Sequence, residues 1–132
     1  GVKIAEKALL PKAVISFIRT HHGRGKAKYF YNSFKNQYPD KPINDELFTY
    51  PGPNPFSKET AVLMMADSVE AASRSLKEHT EESISALVNK IIDGQIADGL
   101  LKSAPLTIKS VFVDKLKTMF HTRISYPDLK KQ

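Results

Sequence analysis

The 132-residue chain contains no cysteine, which excludes disulfides and thiolate metal sites and fits a cytosolic setting. Long apolar runs are missing too. The longest, Ala61 to Ala66, falls far short of the roughly 20 residues a membrane-spanning helix needs. No signal-peptide pattern stands out. The glycines around Gly23-Arg-Gly25 extend neither to G-x-G-x-x-G nor to a phosphate loop ending in Lys-Ser or Lys-Thr, so both of those nucleotide-binding motifs are absent. There is no strand-like alternation and no internal repeat. What remains is an all-α chain of ordinary globular composition, 41% hydrophobic and 26% charged, long enough for one core.

The charge balance is one-sided. A formal net charge of +6 favours an anionic partner, a nucleotide or a membrane surface among them. The lysines are scattered, with small clusters only at Arg24 to Lys28 and at Lys130-Lys131, and that scatter argues against nucleic acid as the partner.

Periodicity places the helices. Val2 to Leu9 is helical without a capping residue before it, which reads as the remnant of a helix cut from a larger protein. Pro11 sits at a first helical position and opens a helix from about Lys12 to His22, ended by Gly23 in a left-handed conformation. Ala27, Phe30, Tyr31 and Phe34 give a helix over about 26–37 with an aromatic core stripe, and a short helical turn follows at 44–48. The prolines of Phe48-Thr-Tyr-Pro-Gly-Pro-Asn-Pro-Phe56 keep that stretch extended. Ser57 caps a long helix over about 58–79. Thr80 caps the next, with Glu81 and Glu82 suiting its dipole and an apolar face of Ile84, Leu87, Val88, Ile91 and Ile92 reaching Asp93-Gly94 or Gly99. After Ala104-Pro-Leu-Thr107, a last helix over about 107–122 turns Ile108, Val111, Phe112, Leu116 and Phe120 inward.

Two places on this layout carry chemistry. Val14, Phe17 and Ile18 form a helical face whose next positions are His21 and His22, so two imidazoles continue an apolar stripe. Inward histidines need partners, either a metal ion or structural capping contacts. Asp67 lies among Leu63, Met64 and Ala71 on a helix apolar nearly all round, behind the face Val62, Met65, Val69, Ala72 and Leu76. A carboxylate there must be metal-bound, hydrogen-bonded or paired, with Arg74 as the structural candidate. The stiff proline loop feeding the helix at Ser57 and Lys58 offers a third feature, an anion site at a helix N-terminus or else a plain connector. His79 and His121 sit near helix ends, where capping roles suffice.

Phe17-Ile-Arg-Thr-His-His-Gly23, Ala27-Lys-Tyr-Phe-Tyr31, Phe48-Thr-Tyr-Pro-Gly-Pro-Asn-Pro55, Ala66-Asp-Ser-Val-Glu-Ala-Ala-Ser-Arg-Ser-Leu76, Asp93-Gly-Gln, Ala104-Pro-Leu-Thr107 and Phe120-His-Thr-Arg-Ile124 occur in this order in one family. Together they resemble the cytoplasmic HD domain of the seven-transmembrane HD hydrolases, the PgpH-type cyclic-di-AMP phosphodiesterases of bacteria. The resemblance implies an HD-domain-like helical bundle with two divalent metals, manganese or iron, that cleaves cyclic di-AMP to the linear dinucleotide. By motif, His21, His22 and Asp67 match family metal ligands. Nitrogen and carboxylate donors suit such metals, and two cations would neutralise the phosphate and activate a water. Tyr50, Pro51, Gly52, Pro53 and Lys58 would border the dinucleotide, with Tyr50 stacking on adenine and Lys26, then Lys28, near phosphate.

The chain departs from the family at its defining feature. None of its four histidines is followed by aspartate, so the adjacent His-Asp pair is absent. Three ligands do not hold two metals. The expectation is that residues 1–132 form the C-terminal part of the HD domain. The upstream half, with the His-Asp pair, and the transmembrane region would belong to the same parent protein at the cytoplasmic face of the bacterial inner membrane. Alone, the chain is expected to be soluble, inactive and at best a weak metal binder, and to bury its apolar surface as a homodimer or a domain-swapped pair. Against catalysis stand a degenerate HD domain that binds a nucleotide or partner protein, a phosphohydrolase with another substrate, and a plain helical interaction module.

Overall fold

The computed structural model describes residues 1–105, so the expected last helix and the residues after it lie outside the described part. Five α-helices follow in order, α1 Val2–Lys7, α2 Lys12–Thr20, α3 Lys28–Gln37, α4 Lys58–Ser73 and α5 Glu81–Ala97, with a 3-10 turn at Asp45–Phe48. Among the described residues there is no strand, only an isolated antiparallel bridge between Lys26 and Thr49.

Helices α4 and α5 form the centre. Ala61, Met64, Met65 and Val69 on α4 meet Ile84, Val88 and Ile92 on α5, and Leu100, Leu101 and Ala104 close the cluster from the turn beyond. Each large apolar side chain buried there contributes roughly 1.5–3 kcal/mol before chain entropy is set against it. Helix α2 lies on α4, α1 on α2, and α3 on the 3-10 turn. Both central helices begin as the sequence predicts. Ser57 Oγ accepts the Thr60 amide at 3.2 Å while Thr60 Oγ1 accepts the Ser57 amide at 3.0 Å. Thr80 and Ser83 repeat the exchange at the start of α5. Reciprocal bonds of this kind satisfy amides that no helical turn can reach.

Several boundaries differ from the periodic reading, each for a local reason. Helix α2 stops at Thr20 rather than His22, with Pro11 just before it rather than inside it. The Gly23 amide folds back to the Thr20 carbonyl at 2.9 Å, and Gly23 takes a φ of 53°, the left-handed value its position requires. Helix α3 starts only at Lys28, because the Ala27 amide donates to Phe48 and Lys26 bridges to Thr49. Its aromatic stripe is not core: no residue of α3 is buried, Phe30 is 64% exposed, and only Tyr31 and Phe34 pack, against Phe48.

Helix α4 ends at Ser73, six residues short of the expected end at His79. There the hydroxyls of Ser73 and Ser75 donate to the Glu70 and Ala72 carbonyls, both at 2.7 Å, and compete with the helical ladder. Nor is α4 apolar all round in place: Leu63 is exposed and Asp67 half-buried on the side away from α5. Helix α5 reaches Ala97 and is closed by Gly99 at a φ of 69°.

Candidate functional site

The site forms where the C-terminal end of α2 meets the proline loop and the outer face of α4. His21 caps α2 and is half-buried; His22, one residue beyond the helix, is exposed rather than inward. The two rings lie 4.0 Å apart between centroids. His21 Nδ1 donates to the carbonyls of Ile18 at 2.9 Å and Phe17 at 3.3 Å, groups that can only accept. That bond keeps the proton on Nδ1 and leaves the Nε2 lone pair free to ligate. His22 stacks on Tyr50, 4.3 Å between centroids and 19° between planes. Shielding by these neighbours pushes the His22 imidazole below its ordinary pKa; the nearby His21 lowers it further, and Asp67 pulls it back up. A neutral imidazole is the form that binds metal.

The proline loop is pinned beside the histidines by backbone bonds. The Tyr50 amide donates to Gly25 at 3.0 Å, and Asn54 Oδ1 accepts the Arg24 amide at 2.8 Å. Gly23 is needed here twice over, since a side chain on it would strike Asn54 Oδ1 at 2.8 Å.

Three hollows surround His21. The first, about 310 Å³, is lined by His21, His22, Lys26, Lys28 and Tyr50 on one side and Ser68, Lys90, Gly94 and Gln95 on the other. The second runs along Gly1, Val2, Arg19, His22 and Tyr50 to Gly52. The third joins His21 to Asp67 across Val14, Phe17, Ile18 and Leu63. Thus His21, His22, Asp67, Tyr50, Pro51, Gly52, Lys26 and Lys28 share one region, while Pro53 and Lys58 line none of these three hollows.

The N-terminus of α4 is already occupied by the chain itself. Ser57 takes the Thr60 amide. The Glu59 carboxylate is held below the usual range by its own backbone amide, then by the Ser57 hydroxyl. That removes the opening for a phosphate on those amides. Arg74, the structural candidate for Asp67, instead holds Glu70 in a two-oxygen contact at 2.9 Å, leaving the outer face of Asp67 to the hollow it shares with His21.

As donors, two imidazoles and a carboxylate suit a divalent first-row metal in type but not in number. Among the described residues, no group of three or more His, Cys, Asp or Glu side chains converges closely enough to hold a metal ion. On the α5 side, periodicity pointed to a core face and passed over Lys90, Gly94 and Gln95, whose cavity role shows only when α5 is set against α2. The Asp93-Gly-Gln motif was the one available signal.

No family model matches the chain. Among curated proteins it is 37% identical to the cyclic-di-AMP phosphodiesterase PgpH of Bacillus subtilis over 100% of its own length and 19% of the relative's. It is 34% identical to PgpH of Listeria monocytogenes over 98% of its length and 19% of that protein. The solved HD domain of the L. monocytogenes phosphodiesterase PgpH, in complex with cyclic-di-AMP, superposes with a TM-score of 0.80 at 30% identity, over 93% of this chain and 56% of that one. The chain is a homologue of PgpH. It therefore has the helical architecture of the PgpH HD domain, and it spans about a fifth of the full PgpH relatives. The chain is also 40% identical to an uncharacterised Synechocystis protein, over 96% of its own length and 17% of that protein.

Proposed function

We propose that this chain is the C-terminal part of an HD domain that hydrolyses cyclic di-AMP to the linear dinucleotide. The observation that carries the reading is the superposition on an HD domain in complex with cyclic-di-AMP at a TM-score of 0.80, of which this chain spans 56%. The remaining share of such a domain would supply the His-Asp pair and the metal ligands that are lacking here. His21, through Nε2, His22 and Asp67 would then contribute to a centre of two divalent cations, manganese or iron. Bound there, the cations would supply charge neutralisation at the phosphate and a lowered pKa for water.

The chain's own residues do the rest. The Ile18 carbonyl fixes the His21 tautomer, Tyr50 holds the His22 ring by stacking, and shielding keeps His22 neutral. Lys26 and Lys28, on the wall of the same cavity, lie where a dinucleotide's phosphates would come, and Tyr50, Pro51 and Gly52 form the adjoining edge. Lys58 and Pro53 are peripheral in this reading. The parent protein would sit at the cytoplasmic face of the bacterial inner membrane; among the described residues no helix is long and apolar enough to cross a membrane.

The second reading is a degenerate HD domain that binds a nucleotide or partner protein without cleaving it, and it is favoured by the lack of a complete ligand cluster among the described residues. Manganese-dependent cleavage of cyclic di-AMP by a polypeptide holding the whole HD domain decides between them. Cleavage that disappears in Asp67→Ala is the expected result. A folded domain that binds cyclic di-AMP without cleaving it would establish the second reading, and cleavage untouched by Asp67→Ala would remove Asp67 from the site.

A further inference from the structure

The corner between α1 and α2 holds a residue that neither backbone preference nor the core explains. Helix α1 closes in a Schellman turn: the Leu9 amide donates to the Glu6 carbonyl and the Leu10 amide to the Ala5 carbonyl, both at 3.1 Å. The first residue past such a turn is left-handed, and Leu9 has a φ of 54°, the one positive value outside the glycines among the described residues. Glycine or asparagine is the usual choice there, because a larger side chain crowds its own backbone. Leucine stands in that place with its side chain 89% exposed, so packing does not offset the strain.

The surroundings of Leu9 indicate what it meets. Every residue from Glu6 to Val14 is exposed, so the corner projects from the body of the molecule. It presents Leu9 and Leu10, with Ile4 exposed on the helix that leads into it. Lys3, Lys7 and Lys12 stand around them, all exposed, and Lys3, Ile4 and Lys7 share one face of α1. Glu6 is the one carboxylate in residues 1–20, and Arg19 engages it at 3.4 Å. Among the described residues no carboxylate pairs with any of the three lysines.

We infer that the α1–α2 corner docks on the surface of an anionic phospholipid bilayer, with Leu9 entering the acyl boundary while Lys3, Lys7 and Lys12 meet the headgroup phosphates. The inference does not depend on the cyclic-dinucleotide reading of the site. A projecting apolar tip offers a peptide no groove in which to lie. A second copy seated on the same corner would set the same cations face to face. A bilayer meets both requirements, hydrocarbon for the leucine and anionic oxygen for the ammonium groups. Docking there also fixes how far the site stands from the lipid, because α2 carries the chain from this corner toward His21 over nine residues, roughly 13 Å.

The test is partition of the 132-residue chain onto vesicles of phosphatidylglycerol and of phosphatidylcholine, read by co-sedimentation. The wild type binds the anionic vesicles and not the zwitterionic ones. Leu9→Gly lowers that binding by about 10-fold, while the melting temperature holds or rises because glycine suits the left-handed turn. Lys7→Gln lowers it by about 5-fold. The chain has no tryptophan, so Leu9→Trp supplies a single reporter whose emission moves to the blue on the anionic vesicles alone. A polypeptide holding the whole HD domain shows the same loss in Leu9→Gly. A wild type that ignores anionic vesicles overturns the inference. Binding that survives Leu9→Gly, or emission that does not move, reduces the contact to diffuse attraction by lysines and overturns it too. Blue emission in buffer that grows with protein concentration seats a second copy on the corner instead. Vesicle binding by the shorter chain that disappears in the whole HD domain means the rest of that domain covers the corner, and the bilayer is again excluded.

Discussion

At the scale of single residues, the site is defined by three ionisable groups whose mutual influence can be read without any metal. Burial sets the His22 shift, His21 deepens it and Asp67 opposes it. In metal-free protein, the His22 ring proton followed by NMR should therefore titrate below the ordinary value of 6.5. His21→Asn should bring the midpoint up by removing a like charge. Asp67→Asn should take it further down by removing an attraction. A midpoint indifferent to Asp67→Asn would mean that the carboxylate and the imidazole are too far apart to share an ion. The linkage has a definite sign. A base whose folded pKa lies below its unfolded one favours the neutral form on folding, so its contribution is present above the unfolded value and is lost as pH falls through the folded one. Acidification below about pH 6.5 should thus loosen the α2 end while leaving alkaline stability unaffected. The tautomer of His21 belongs to this scale as well, because one bond of 2.9 Å to Ile18 decides which nitrogen is available.

At the scale of elements, Asp67 is placed by helix α4, and α4 is placed by its cap. Ser57→Ala removes the hydroxyl that takes the Thr60 amide and leaves only the other half of the exchange, the residue 57 amide donating to Thr60 Oγ1. The expected cost is about 1 kcal/mol, read as a lowered urea midpoint at unchanged slope. Met65→Ala, a truncation at a fully buried position between α4 and α5, should cost about 2–5 kcal/mol by leaving a cavity. A loss from Ser57→Ala as large as that from Met65→Ala would mean the cap also holds the proline loop. Much of this layer was legible in the sequence. Ser57 and Thr80 announce their helices, Gly23 announces an end, and the prolines of 51–55 force an extended path. What was not legible is where local hydrogen bonds defeat periodicity. The serines at 73 and 75 cut α4 short, and pairing of residues 26 and 27 with 48 and 49 delays α3 and leaves its aromatics half in water. The expected inward placement of His22 failed for the same reason: α2 closes at Thr20, so the helical period no longer governs the residue two places later.

At the scale of the whole molecule, the site is unevenly furnished. Its cationic and aromatic wall is in place, whereas the side holding His21, His22 and Asp67 offers two imidazoles and one carboxylate that do not converge into a metal-binding set among the described residues. Motif order in the sequence was enough to suggest the family. Ligand number could be counted there too, but whether the three side chains face one another was decided only by folding. The chain also exposes apolar side chains: Ile4 is 73% exposed, Leu9 89% and Leu63 39%, and Leu63 lines the hollow between His21 and Asp67. Surface of that kind is usually covered, so sedimentation of the 132-residue chain should show concentration-dependent self-association that Leu63→Lys weakens. Metal binding should follow the same division. Three protein donors are few for two cations that each prefer four or more ligands, and filling the remaining positions with water alone gives weak binding. Calorimetry with manganese should accordingly show weak binding to the 132-residue chain, with no turnover of cyclic di-AMP. The same titration on the whole HD domain should show tight binding that Asp67→Ala reduces. Tight manganese binding with turnover by the shorter chain would reverse the argument, because the two imidazoles and Asp67 would then have to form a working centre without ligands from elsewhere.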